Sequence, residues 1–153
     1  MSYIEELRAL VGTRQLITVG VGVVVLRGQE LLLELRRDSL QWGLPGGFKE
    51  LSETLEDAAR RELLEETGLT ARTLRFLTLC SGAEFGYTYP NGDRIEHVAA
   101  LYQALEVEGG LRTDAAENLA LRYFSVYELP SPMQPLSERL LAQALAALEA
   151  KHS

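Results

Sequence analysis

Apolar residues follow two periods along this chain. Leu16 to Leu26 is rich in Val and Ile and reads as a strand. Gly20 and Gly22 inside it predict a bulge or the close approach of another backbone. Arg27-Gly28-Gln29 makes a turn and Glu30 to Leu35 a second strand, so the two predict a hairpin. Trp42-Gly43-Leu44-Pro45-Gly46-Gly47 is too rich in Gly and Pro for regular structure and predicts a shaped loop. Thr73 to Cys80 is strand-like. Glu84 to Tyr89 and Arg94 to Val107 flank Pro90-Asn91-Gly92-Asp93, a strong hairpin signal. Arg122 to Val126 predicts a short final strand.

Three stretches carry the helical period instead. Ser2 to Val11 reads as an opening helix with Ser2 as its cap. Thr54, followed three residues later by Asp57, fits a capping box, and Gly68 fits a C-terminal stop, so a helix is expected over Leu55 to Thr67. Ser137 to Lys151 has apolar residues at helical spacing and closes the chain as an amphipathic helix. Strands alternating irregularly with helices predict an α/β or α+β sandwich, a mixed sheet with helices packed on it. There is no repeat, low-complexity tract or Gly/Ser/Pro linker, so residues 1–153 read as a single domain.

Charge narrows the range of partners. Fifteen Lys and Arg stand against 22 Asp and Glu, a net charge of −7. Long nucleic acids and anionic membranes call for a basic face and are disfavoured. A small phosphorylated substrate remains compatible if a metal ion supplies positive charge. Cys80 is the single cysteine, so neither an intrachain disulfide nor a cysteine zinc site can form. No apolar run reaches the ~18 residues of a membrane span. Met1-Ser2-Tyr3-Ile4-Glu5-Glu6 lacks the features of a signal peptide, and a cytoplasmic location is expected.

The chemistry concentrates between Gly47 and Leu69. At about 3.6 residues per turn, Glu62, Glu65 and Glu66 share one stripe of the predicted helix. Glu53 lies just before it. Like charges at i+4 cost ~0.2–0.5 kcal/mol per pair, and more where the dielectric falls. A hard divalent cation reverses that sign: Mg²⁺ takes oxygen ligands, commonly a few carboxylates plus substrate phosphates. A Glu-rich helix is more often a solvated face, but the wider pattern argues otherwise.

Gly47, Glu53, Arg61-Glu62-Leu63, Glu65-Glu66 and Gly68-Leu69 occupy every fixed position of a 23-residue signature, and the stretch resembles the Nudix box. The seven non-aliphatic identities have a chance of roughly 10⁻⁹ per start position. The resemblance implies a Nudix-like α/β/α sandwich with a mixed sheet between helices. It also implies Mg²⁺-dependent hydrolysis (Mn²⁺ as the alternative ion) of a pyrophosphate bond in a nucleoside diphosphate-linked substrate. The substrate would be a nucleoside triphosphate, a dinucleoside polyphosphate or an ADP-sugar. Pyrophosphate is highly charged, so its attack by water needs charge neutralisation, a positioned water and in-line geometry.

The resemblance also implies roles. Glu65 and Glu66 would be the main metal ligands, Glu62 a further ligand or the group orienting the attacking water, and the Gly46 carbonyl an extra ligand. Glu53 would hold an outer water or Arg61. Arg61 would fix the carboxylates by ion pairing, which suits its planar fork. Gly47 and Gly68 would serve backbone geometry. The general base is Glu62 or a loop carboxylate: Glu117, six residues before Tyr123, or else Glu84 or Glu96. Arg36 stands where relatives place a phosphate-contacting arginine, or is a plain surface residue.

Tyr87 and Tyr89 are candidates for a base-binding slot, although Phe85, Tyr87 and Tyr89 could equally form one packed face of a strand. Phe85 stands where a proline marks many ADP-ribose hydrolases, which weakens that assignment. Trp42 is expected to pack against the loop, and His97 to be structural. Partners would be small nucleotide-type molecules, with no nucleic acid polymer and no membrane, the protein acting as a monomer or homodimer. The competing reading is a non-catalytic nucleotide-sensing module of the same fold. The intact glutamates favour the enzyme.

Overall fold

The computed structural model describes residues 1–152, and of His152 the backbone alone. The chain opens with α1 (Tyr3–Val11), where Ser2 Oγ accepts the Glu5 N–H at 3.1 Å and the Glu5 side chain reciprocates. α1 contains no buried residue. Polar contacts hold it down: the Tyr3 N–H donates to Glu50 Oε2 at 2.9 Å, and an Arg8 amine donates to the Arg94 carbonyl at 2.7 Å.

β1 (Leu16–Val24), β5 (Gly46–Phe48), β6 (Thr70–Cys80), β7 (Gly86–Thr88) and β8 (Arg94–Glu108) make a mixed five-stranded sheet in the order β5-β1-β8-β6, with β7 on β8. β1 and β8 run parallel and the other pairs antiparallel. A second sheet orders β2 (Leu26–Arg27), β3 (Glu30–Arg36) and β4 (Trp42–Gly43), with β9 (Asn118–Ser125) on the other side of β3.

This divides the expected Leu16–Leu26 strand. The chain leaves the first sheet after Val24, and only Leu26–Arg27 pair with β3 as a hairpin. Val25 at the crossing is 1% exposed, so the break sits inside the core. The Trp42–Gly47 segment is a further correction. It contributes β4 and the start of β5, because Gly46 and Gly47 can lie flat against β1. A Cβ on Gly20, which opposes Phe48, would come within 2.3 Å of the Gly47 carbonyl oxygen. The last strand begins at Asn118, four residues earlier than expected.

α2 (Leu55–Thr67) covers one face of the five-stranded sheet and α3 (Pro135–His152) the other. Thr54 caps α2, its Oγ1 accepting the Asp57 N–H at 3.0 Å. Gly68 ends it in the left-handed region, at φ +80°. The two-residue period of β3 feeds both sides: Leu31 and Leu33 join the α3 core, Leu32 the α2 core. On α2, Ala58, Ala59 and Leu63 are fully buried, which brings the helix close to the sheet. Truncating Leu63 to alanine would cost about 2–5 kcal/mol. Among the described residues no helix is long and apolar enough to cross a membrane.

Candidate active site

β5 and α2 face one another across a cleft of about 670 Å³. Arg61, on the second turn of α2, organises its near wall. Its Nε and one amine grip both oxygens of Glu53, at 2.7 and 2.9 Å. The other amine reaches Glu62 at 2.9 Å and Glu65 at 3.3 Å. A further bond, 3.0 Å to the Phe48 carbonyl, ties α2 to β5. Glu53 also accepts the Glu50 N–H at 2.8 Å. Arg61 accordingly holds Glu53 below the usual carboxylate range, and Glu53 raises the Arg61 guanidinium.

Behind this layer the carboxyls of Glu66, Glu62 and Glu34 crowd together, with only Glu62 bonded to Arg61. Glu66 is 4% exposed. Burial, with repulsion from Glu34 and Glu62, raises its proton affinity well above the ordinary carboxylate range. Its Oε2 accepts the Gly46 N–H at 2.9 Å. Glu62 and Glu34 both come within hydrogen-bonding reach of Glu66. Burial raises Glu62 as well, against the pull of its Glu66 and Arg61 contacts, and pushes Glu34 up to about 7. Gly47 makes room for this cluster, because a Cβ there would lie 2.5 Å from Glu62 Oε1.

These oxygens fit a hard divalent cation: all are carboxylate donors, buried together, with more negative charge than Arg61 offsets. Among the described residues no three acidic, His or Cys side chains are already gathered as a closed metal site. Glu65 turns toward Arg61, and its side chain is 52% exposed. Gly46 presents its N–H to Glu66 at 2.9 Å.

The far wall carries the remaining candidates. Glu117 and Asp114 line the cleft from the turn before β9. Glu84 and Glu96 are not part of that lining. Arg36 reaches the cleft but is forked onto Asp38 at 3.1 and 3.0 Å. Although burial opposes it, Asp38 raises the Arg36 guanidinium further.

Tyr89 and Tyr87 part ways. Tyr89 lines the cleft with Phe48, ring centroids 6.5 Å apart, and burial pushes its hydroxyl up to about 12. Tyr87 stacks edge-on behind Tyr89 at 4.9 Å and opens onto a separate surface cleft. His97 also lines the main cleft, edge-on to Phe48 at 5.6 Å, with Nδ1 2.7 Å from Thr18 Oγ1. Burial lowers it to about 4, so it is neutral near pH 7. Trp42 packs edge-on against Phe124, 4.8 Å between centroids.

Sequence reasoning missed Glu34, Asn118 and Phe48. The one available signal was an acidic residue inside Leu31-Leu32-Leu33-Glu34-Leu35, a run that otherwise reads as buried strand. Asn118 gave none, because only folding brings β9 to the box helix, and Phe48 lies inside the motif but meets Tyr89 only through the fold.

Comparison with known proteins gives the family. The model of the NUDIX domain matches residues 16–144. A Bacillus subtilis protein named "Putative 8-oxo-dGTP diphosphatase" is 35% identical over 124 residues, covering 80% of this chain and 76% of its own length. An ADP-ribose pyrophosphatase of Methanocaldococcus jannaschii is 31% identical over 115 residues, covering 73% of this chain and 64% of its own. The crystal structure of a MutT NUDIX hydrolase from Burkholderia pseudomallei superimposes with a TM-score of 0.71 at 29% identity, covering 84% of this chain and 98% of that one. With the box glutamates gathered on α2 under β5 and the match running through nearly all of the fold, the chain belongs to the NUDIX domain family and is a Nudix hydrolase.

Proposed function

We propose that the protein hydrolyses a pyrophosphate bond in small nucleoside diphosphate-linked molecules, using Mg²⁺ or Mn²⁺ held by Glu62, Glu65 and Glu66 with the backbone of Gly46. The observation that carries this reading is the Glu66 carboxyl, buried against Glu62 and Glu34 with the Gly46 N–H as its hydrogen-bond donor. A fold keeps such mutually repelling carboxyls together when a cation neutralises them. The ion, when bound, would offset phosphate charge and acidify a water molecule.

The chain's own groups do the rest. Arg61 holds Glu53, Glu62 and Glu65 in one arrangement, so little reorganisation is needed when substrate enters. Glu62 or Glu117, both facing the cleft, takes the proton of the attacking water. Glu62 is the nearer to the box carboxyls. Glu117 lines the same cleft from the turn before β9 and is the alternative base. Arg36 meets a phosphate once that phosphate competes with Asp38. Phe48 and Tyr89 form the slot for a planar base, with Tyr87 packed behind as support. Gly47 and Gly68 act through backbone geometry.

The names of the B. subtilis and M. jannaschii relatives support a nucleoside triphosphate or an ADP-sugar as the substrate class. The net charge of −7 favours small metal-complexed phosphates over polynucleotides. Residues 1–153 work as one domain in the cytoplasm, as a monomer or homodimer.

The test is incubation with nucleoside triphosphates, oxidised nucleotides, ADP-ribose, dinucleoside polyphosphates and nucleotide sugars, with Mg²⁺ or with chelator, and identification of products by mass. Metal-dependent cleavage of a pyrophosphate bond is expected. A folded, metal-binding protein that cleaves none of them would point to a sensing role.

A further inference from the structure

Glu34 stands out in β3. Its neighbours Leu31, Leu32 and Leu33 are fully buried, and it is itself 1% exposed. A leucine would serve packing there, and an uncompensated buried carboxylate is costly. Its carboxyl is directed at Glu66, a residue of the other layer, and lies within hydrogen-bonding reach of it.

Asn118 joins the two. It too is 1% exposed, at the first position of β9. Its amide nitrogen donates one hydrogen to Glu34 Oε2 at 3.1 Å and the other to the Glu66 carbonyl oxygen at 2.9 Å. Its amide oxygen accepts the Asp114 N–H at 3.1 Å, while its own N–H donates to the Asp114 carbonyl at 2.8 Å. Both side-chain donors and the acceptor are thus used, which leaves the amide one orientation. The same residue anchors the turn that carries Asp114 and Glu117 into the cleft.

We infer that Glu34 and Asn118 are positioning residues: together they fix the Glu66 carboxyl for a divalent cation and lock the Glu117 turn to the end of the box helix. The inference rests on the metal-dependent reading above. Glu34 supplies negative charge and a steric stop beside Glu66. Asn118 supplies the crossbar between β3 of the second sheet and the last turn of α2. Such outer partners typically change metal affinity by about 10–100-fold when altered.

The test measures Mn²⁺ binding by electron paramagnetic resonance and calorimetry on the full chain, wild type against Glu34→Gln, with thermal unfolding in chelator as the folding control. Glutamine keeps the shape, removes the charge, and offers an N–H that would occupy a Glu66 lone pair. The expected result is unfolding in chelator at or above the wild-type temperature, with Mn²⁺ bound at least tenfold more weakly and an altered resonance line shape. Mn²⁺ affinity within twofold of wild type, in a folded variant, overturns the inference and leaves the metal site standing. Absence of Mn²⁺ binding by the wild type overturns both. Should glutamine prevent folding, Glu34→Asp makes the same comparison, since it keeps the charge but withdraws it by one methylene.

Discussion

Arg61 and Glu53 meet through two parallel hydrogen bonds, 2.7 Å from Nε to Oε2 and 2.9 Å from an amine to Oε1. Eight residues apart, they join the loop before α2 to its second turn. With both Glu53 oxygens engaged, the remaining Arg61 amine turns toward Glu62 and Glu65. The carboxylates are therefore set by a rigid fork before any ligand arrives.

Lysine cannot reproduce that fork. Arg61→Lys should lose about 1–3 kcal/mol of stability, from the charged hydrogen bonds that go unmade. Its metal-activated turnover should fall about 10–100-fold. Denaturant unfolding and kinetics at varied Mg²⁺ would check both. Wild-type turnover in the lysine variant would mean that a simple positive charge suffices.

Glu66→Gln should separate stability from function. Burial and the repulsion of Glu34 and Glu62 raise the proton affinity of Glu66, so its ionised form destabilises the metal-free fold near neutral pH. The amide removes that cost. Unfolding temperature in chelator should rise, while the further rise on adding Mg²⁺ disappears and turnover drops about 100-fold or more. Calorimetric scans with and without metal read the first two effects. A variant as active as wild type would refute the placement of the cation at Glu66.

Gly47→Ala tests how tightly the cleft is built. The new Cβ would sit 2.5 Å from Glu62 Oε1, the mobile end of a side chain, so Glu62 must swing away. Stability should change by about 1 kcal/mol. Mn²⁺ affinity should weaken about tenfold, as the proposed ligand Glu62 is displaced. Equal Mn²⁺ titrations of the two proteins would show that Glu62 has room to spare.

His97 predicts a pH effect with a definite sign. Its folded-state value of about 4 lies below the ordinary 6.5, because burial disfavours the imidazolium. The unfolded chain therefore binds the proton more readily. The stability His97 contributes is complete above about pH 6.5 and is lost as pH falls from there through about 4. Between about pH 7.5 and about pH 5 the loss from this residue is about 2 kcal/mol. His97→Gln should lack that component, so the wild type should lose more stability than the variant over the same interval in metal-free urea titrations. Parallel losses would show that His97 titrates normally.

Caps and helical spacing located the three helices. α2 runs from Leu55 to Thr67 because Thr54 and Gly68 are chemically suited to its two ends. Capping is a local interaction between residues a few positions apart, so local sequence carries it. The glutamates of the box were legible for the same reason: a helix face is a matter of spacing. The division of Leu16–Arg27 between two sheets was not legible, since Val24, Val25 and Leu26 are equally apolar on either side of the break.

The α/β class, the box helix with its acidic stripe, and membership in a family of hydrolases can be read from the chain before it folds. These depend on near neighbours and on a motif contiguous in the chain. Folding alone brings Glu34 from β3 and Asn118 from β9 to Glu66, sets Phe48 beside Tyr89 with Tyr87 behind, and forks Arg36 onto Asp38. Most of these contacts join residues dozens of positions apart, and their geometry follows from strand register and side-chain burial. Both are settled by the packing of the whole chain.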